Sequence, residues 1–470
     1  MPEISERHGK FDVDDRFTLP KLEDIVVNGE VQHDTIDSTN DYYDTPDHDL
    51  RAQRVLLERR DGDGETGWQL ALPDEGGCTE LHWILSDSPP DEVSTLLTGL
   101  SLGKEVASVA KLHTVRERYR ISAPQQGQPR IEVYDDRVRA SVGERLLAWR
   151  EVKVDSGVGA RRLTKRLTKR LRAAGARPSR YPSKLDHAVS AEPSPKWSAP
   201  AVRALTNYLN AQVDQIVVGD VGLRRGRDPI HDTRVAIRRL RSTLRVFRKV
   251  LDQSAIGDLD SELKWFAALL GDVRDCQVQQ RRFGDALDGM AEELVLGPVR
   301  TRIRNDLSAL ELPARTGLRE AMESERYLAI MAVLRRWRAA PPVDADIATS
   351  TLKKRARRAR HKADQRLAEA LETGEDAMLH RARKAAKRAR YAAELCKPVD
   401  KKAKRTVKHY KNVQSLLGDH QDTVVATEAL RRMAVAAGTT PDENGFTFGM
   451  LYAREQHIAR ECRREVRQLV

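Results

Sequence analysis

The residues best suited to chemistry stand in one short stretch, DPIHDTRVAIRRLRSTLRVFRKVL, which starts at position 228. His231, Arg234, Arg238, Arg241, Arg245 and Arg248 recur at steps of three and four, one straight stripe along an α-helix. No acid follows Asp232 before Leu251. Like charges one turn apart cost roughly 0.2–0.5 kcal/mol per pair, so an ordinary solvated face mixes its signs. A stripe of one sign points to an anionic ligand. Guanidinium groups make planar, multi-donor contacts to phosphate, and an imidazole N–H adds another donor. The chemistry indicated is the holding of a phosphate chain.

A helix over 228–251 must position these groups. Asp228 and Pro229 suit its N-cap and first turn, which places His231 where the helix dipole also favours an anion. Ile237, Leu240, Leu244, Phe247 and Leu251 form an apolar stripe one residue away, so the basic face borders the core.

The pattern occurs twice. HDTRVAIRRLR at 231–241 matches HRARKAAKRAR at 380–390, and LGDVRDCQV at 270–278 matches LGDHQDTVV at 417–425. The offsets, 149 and 147, are nearly equal, which implies two related helical bundles whose matching helices face a shared space. A further basic run, TLKKRARRARHKADQRL at 351–367, either adds to the anion site or forms an outer solvated face.

The chain has 470 residues and a net charge of +12, unevenly spread. Residues 1–199 carry −4 and residues 200–470 carry +16, two halves with different jobs, the basic one suited to a polyanion. The N-terminus is polar and no apolar run approaches a membrane span, so neither a signal peptide nor a membrane partner is expected. Cys78, Cys276, Cys396 and Cys462 are scattered, which argues against zinc or disulfides and suits a reducing cytoplasm.

The first half reads as strands. RVLLERRDGDGETGWQLALP has the form of a hairpin, as do RIEVYDDRVRAS and LLAWREVKVD around SVGER. EVSTLLTGLSLG and GARRLTKRLTKRLRAAGA read as helices, the second stopping at Gly175 before Pro178. Its apolar face, Leu163, Leu167 and Leu171, is too narrow for a membrane surface, and the helix is expected to close or flank the barrel that the strands form. SAEPSPKWSAP at 190–200 reads as a linker, and nearly everything after it as helix.

Residues 200–470 resemble a CHAD domain, a helical module that binds inorganic polyphosphate. The match is carried by His231-x-x-Arg234-x-x-x-Arg238-Arg239-x-Arg241, by LGDVRD, by His380-x-x-Arg383-x-x-x-Lys387-Arg388-x-Arg390 and by LLGDHQD. The resemblance implies a basic pore lined by His231, Arg234, Arg238, Arg241, Arg245, His380, Arg383, Lys387 and Arg390, with Lys264, Arg274, Lys408 and Lys411 as further candidates. Asp272, Asp275, Asp419 and Asp422 are expected to orient arginines or cap helices.

Residues 1–188 resemble a CYTH domain, the triphosphate tunnel fold. The match rests on SERHGKFDV, on YYDTPDHDLRAQRVLLERRDGDGETGWQLALP, on TVRERYRI, EVYDD and WREVKVD, and on GARPSRYPSKLDHAV. The resemblance implies an eight-stranded antiparallel barrel. In that family basic side chains hold triphosphate and acids hold Mg²⁺ or Mn²⁺ for hydrolysis. This chain departs from the pattern at four places. His8 interrupts Glu6-x-His8-x-Lys10, Glu58 replaces an arginine, Ala71 a lysine, and Lys153 a second acid. Glu6, Lys10, Arg60 and Arg118 remain as catalytic candidates, and Glu6, Asp135 and Glu151 as metal candidates.

The expectation is an α+β two-domain protein. A CYTH-like barrel over 1–188 and a linker over 189–199 precede an all-α double four-helix bundle over 200–470. It is expected to bind inorganic polyphosphate through the second domain, beside a barrel that is a poor triphosphatase. One alternative is a working Mg²⁺- or Mn²⁺-dependent triphosphatase. Another is a general nucleic-acid or polyanion binder. Only 5% of residues are aromatic, too few for base stacking, so nucleic acid is expected to bind weakly through its backbone.

Overall fold

The computed structural model describes residues 9–25, 30–62, 66–74, 77–122, 131–156, 161–190 and 199–468. Two compact units divide the chain, Met1–Lys196 and Trp197–Val470.

The first unit is built on one antiparallel sheet of nine strands among the described residues: β1 (Lys10–Val13), β2 (Glu30–Asp44), β3 (Leu56–Gly62), β4 (Gly67–Asp74), β5 (Gly77–Trp83), β6 (Ala107–Ser122), β7 (Ile131–Val142), β8 (Arg145–Ser156) and β9 (Arg177–Pro178). The order is β5-β4-β3-β2-β6-β7-β8-β1-β9. This corrects the eight-stranded barrel. The pairings among the described residues run as an open series, and the two-residue β9 covers the edge of β1 that closure would use. Pro178 brings no N–H to that edge.

The expected hairpins form. β7 and β8 are joined by a two-residue turn in which Gly143 takes φ +55, a conformation open to glycine without strain. The turn fixes the register and sets Asp136 opposite Glu151. Helix α1 (Asp49–Ala52) follows β2, and α2 (Asp91–Ser101) follows β5. Helix α3 (Arg161–Ala173) buries Leu167 and Leu171 in a core with Phe11, Ile121, Ile131 and Val152, and Gly175 ends it at φ +105. Helix α4 (Lys184–Ala188) is capped by Ser183, which accepts from the Asp186 N–H at 3.0 Å.

The second unit is all-helical. Its α-helices are α5 (Pro200–Arg224), α6 (Ile230–Val246), α7 (Gln253–Ile256), α8 (Leu259–Asp288), α9 (Val299–Glu323), α10 (Glu325–Ala339), α11 (Thr349–Thr373), α12 (Asp376–Cys396), α13 (Ala403–Ala437) and α14 (Phe446–Gln468). None of the described helices is long and apolar enough to cross a membrane.

Helix α6 is shorter than 228–251. Pro229 is its N-cap residue and Phe247 ends it, so Arg248 falls in the following turn and donates to Gln253 at 2.9 Å. The Asp228 carboxylate instead accepts from Gln277 at 2.6 Å. The apolar stripe is buried throughout, from Ile237 to Leu251.

The two bundles are not separate. The N-terminal half of α13 shares a core with α11 and α12 through Tyr410, Val413 and Leu417. Its C-terminal half shares another with α8, α9 and α14 through Ala426, Leu430 and Met433. At about 1.5 Å per residue, its 35 residues span roughly 52 Å.

Candidate functional site

The histidine helices α6 and α12 pack against each other. Their basic stripes meet: Lys387 and Arg383 of α12 lie within electrostatic reach of Arg234 and Arg238 of α6. Burial, then Arg383, Arg238 and Arg234, push the Lys387 ammonium from its ordinary 10.5 down to about 7. Burial, then Arg238 and Arg234, lower Arg383 against the opposing pull of Asp422. The Nε–H groups of Arg238 and Arg383 are buried without a hydrogen-bond partner. Such donors are costly to leave unpaired and define where an anion would be held.

The second motif positions this cluster. Arg234 donates to Asp275 at 3.0 Å, and Arg383 stands 3.9 Å from Asp422, the repeat-related pair. The glycine of each LGD lets the arginine lie flat on the neighbouring helix. A Cβ on Gly271 would stand 2.7 Å from Arg234 Nη2, and one on Gly418 would stand 3.3 Å from Arg383 Nη2. Sequence reasoning missed this role of Gly271 and Gly418, although their repetition in the two motifs was the signal. The histidines flank the cluster. His380 Nδ1 is 2.6 Å from Gln421 Oε1, and desolvation followed by Arg274 lowers His231 below its ordinary value.

Not every predicted residue joins the cluster. Arg241 and Arg245 are held by Asp260 at 3.0 and 2.7 Å. Arg390 donates to Glu394 at 2.9 Å and to Gln414 at 3.1 Å. Arg274 reaches Gln277 at 3.3 Å. Lys264, Lys408 and Lys411 are exposed on α8 and α13.

The first unit places a second polar cluster on one face of its sheet. Lys10 Nζ is 3.2 Å from Glu151 Oε2. Lys184, supplied by α4, stands 2.5 Å from Asp136 and 3.7 Å from Glu151. Arg116 grips Asp136 at 2.8 and 2.9 Å. Burial opposes the charge on Asp136, but Lys184 and Arg116 outweigh it and hold the carboxyl below its usual range. His187 of α4 is stacked between Trp149 and Tyr181, at 4.2 and 4.4 Å, which anchors the short helix.

Of the metal candidates among the described residues, Asp135 and Glu151 are not brought together. Alternate residues of β7 face opposite ways, so Asp136, not Asp135, lies across from Glu151. Asp135 pairs with Arg150 at 2.8 Å, and Glu6 lies outside the described residues. Arg118 is held by Asp34 at 3.0 Å, and Arg60 by Glu58 at 3.1 Å. Among the described residues no group of three or more metal-ligating side chains could hold an ion. The buried acids face ammonium and guanidinium groups, so this donor set does not fit Mg²⁺ or Mn²⁺.

The comparisons with known proteins agree with this division. The CYTH domain family model matches residues 11–156 and the CHAD domain family model matches residues 207–431. The uncharacterized protein Rv2226 of Mycobacterium tuberculosis strain H37Rv is 32% identical, over 97% of this chain and 94% of its own. The chain belongs to the CYTH–CHAD family. Two solved structures are similar to part of this chain. PptA from Streptomyces chartreusis is 22% identical, with a TM-score of 0.48 over 57% of this chain and 98% of its own. The CHAD domain from the plant Ricinus communis is 24% identical, with a TM-score of 0.45 over 58% and 94%. The CHAD match contains both histidine helices, and the CYTH match contains Asp136 and Glu151.

Proposed function

We propose that this protein binds inorganic polyphosphate in the CHAD unit, with the phosphate chain lying along Arg234, Arg238, Arg383 and Lys387. The observation that carries this reading is the mutual crowding of these four cations. Arg238 and Arg383 bring buried unpaired donors to it, and Lys387 is depressed to about 7 by burial and then by its cationic neighbours. An anion relieves both costs at once. CHAD membership supports the same ligand.

The CYTH unit acts in this reading without metal-dependent hydrolysis. Its buried acids, Asp136 and Glu151, are satisfied by Lys10, Arg116 and Lys184.

The test is calorimetric titration of the full chain with long-chain polyphosphate at about 150 mM salt, where loose charge attraction is screened. Single-stranded RNA serves as competitor. Tight binding that RNA does not displace is expected. Replacing Arg234, Arg238, Arg383 and Lys387 with Ala is expected to abolish it while helical circular dichroism persists. Affinity retained by that variant refutes the assignment. Mn²⁺-dependent phosphate release from tripolyphosphate restores the triphosphatase reading.

A further inference from the structure

We propose that one end of the CHAD unit, formed by the N-terminal parts of α11 and α13, is a docking surface for the phosphate backbone of a nucleic-acid duplex. The surface is separate from the cluster between α6 and α12, and the proposal stands whether or not that cluster binds polyphosphate.

The first observation is where the charge resides. Residues 353–362 and 397–411 together hold fourteen Lys and Arg against one acid, Asp400. These 25 residues carry +13, whereas the whole chain carries +12. The net charge of the protein is therefore concentrated outside the cluster already described.

The second is that the two segments lie at one end of the fold. Helices α11, α12 and α13 pack in sequence as neighbours. The Tyr410 hydroxyl of α13 donates to the Arg360 carbonyl of α11 at 3.1 Å, which sets the two parallel helices level. Lys353 of α11 and Asp400 both act on Cys396, at the end of α12.

The third is the character of the surface. Lys354, Arg357 and Arg358 on α11 are exposed, as are Lys401, Lys402 and Lys404 before and on α13. Among the described residues, no ion pair or hydrogen bond engages the side chains of these six, and Lys402 is bonded only through its backbone N–H, to Asp400. Neither segment contributes to the exposed large hydrophobic residues, so the surface has nothing to insert into a bilayer or between bases. A broad, solvated, lysine-rich surface gains affinity by releasing counterions from a regularly charged polymer. It reads backbone charge rather than sequence.

The experiment is fluorescence anisotropy of a short labelled DNA duplex with the full chain. If about five phosphates are neutralised, Kd rises roughly 500-fold between about 50 and 200 mM salt. The triple variant Lys354→Glu, Arg357→Glu and Arg358→Glu is expected to weaken binding at least about tenfold and to flatten the salt dependence by a slope of about 2.7. Lys401→Glu, Lys402→Glu and Lys404→Glu, on the neighbouring segment, are expected to do the same, so a folding defect in one set leaves the other informative. Polyphosphate titrations of both variants serve as the control for the other site. Duplex binding undiminished in both variants overturns the proposal, as does tighter binding to phosphatidylserine vesicles than to duplex.

Discussion

Arg383 of α12 lies against the bare backbone of Gly418 on α13, 3.3 Å from the point a Cβ would occupy. Arg234 repeats the contact on Gly271 at 2.7 Å. Both glycines are helical, where alanine is favoured by about 1 kcal/mol. Gly271→Ala is therefore expected to leave thermal stability unchanged or slightly raised. It displaces the Arg234 guanidinium and weakens polyphosphate binding about tenfold, roughly 1.4 kcal/mol. Gly418→Ala is expected to act in the same direction and less strongly. Thermal melts beside calorimetry distinguish this from simple destabilisation.

Lys387 ties binding to pH. Its ammonium titrates at about 7 in the free protein. A polyanion favours the charged form and raises that value toward the ordinary 10.5. The contribution of Lys387 to affinity is fully present below pH 7 and is lost as pH rises through the bound value. At pH 7, binding is expected to take up as much as about half a proton at this site. Calorimetry in two buffers of different ionisation enthalpy measures the uptake. Lys387→Arg is expected to remove most of it while keeping affinity.

Asp260 restrains the far end of the stripe by pairing with Arg241 and Arg245. Asp260→Asn removes the negative charge that pairs with both guanidinium groups, although Arg241 keeps its bond to the residue 260 carbonyl at 3.1 Å. Polyphosphate affinity is expected to rise severalfold, and the salt dependence to steepen by a slope of about 1–2. An unchanged titration across a salt series confines the chain to the central four cations.

In the CYTH unit, Lys184 is the ammonium between Asp136 and Glu151. Lys184→Ala leaves two buried carboxylates with less compensation. The expected loss is about 3 kcal/mol, the low end for a broken buried pair because Lys10 and Arg116 remain. Mn²⁺ is expected to raise the melting temperature of the variant and not that of the wild type. Thermal melts with and without Mn²⁺ check both.

Much of this arrangement was legible in the sequence, because helical spacing fixes which side chains share a face. The apolar stripe from Ile237 to Leu251 is buried as its periodicity requires. Two motifs at nearly equal offsets brought Arg234 and Arg383 into matching roles with Asp275 and Asp422. What escaped was long-range. Glu394 occupies the repeat position of Arg245 and draws Arg390 away from the cluster, an acid visible in the sequence whose partner was not. The different faces of Asp135 and Asp136 were also legible. Counting back from the Gly143 turn pairs Asp136 with Glu151 and leaves Asp135 on the opposite face. Barrel closure was not legible at all, since no local pattern announces that a two-residue strand will cover an edge.

Helix α13 belongs to two cores, one with α11 and α12 and one with α8 and α9. The two copies of the repeat therefore depend on each other for their cores. A fragment ending before α13 would expose Phe283, Ile303 and Leu307, which the later copy normally covers. A fragment beginning after α10 would carry a helix whose distal half keeps α14 but has lost α8 and α9. The repeated motifs therefore sit in one interlocked body rather than in two interchangeable modules.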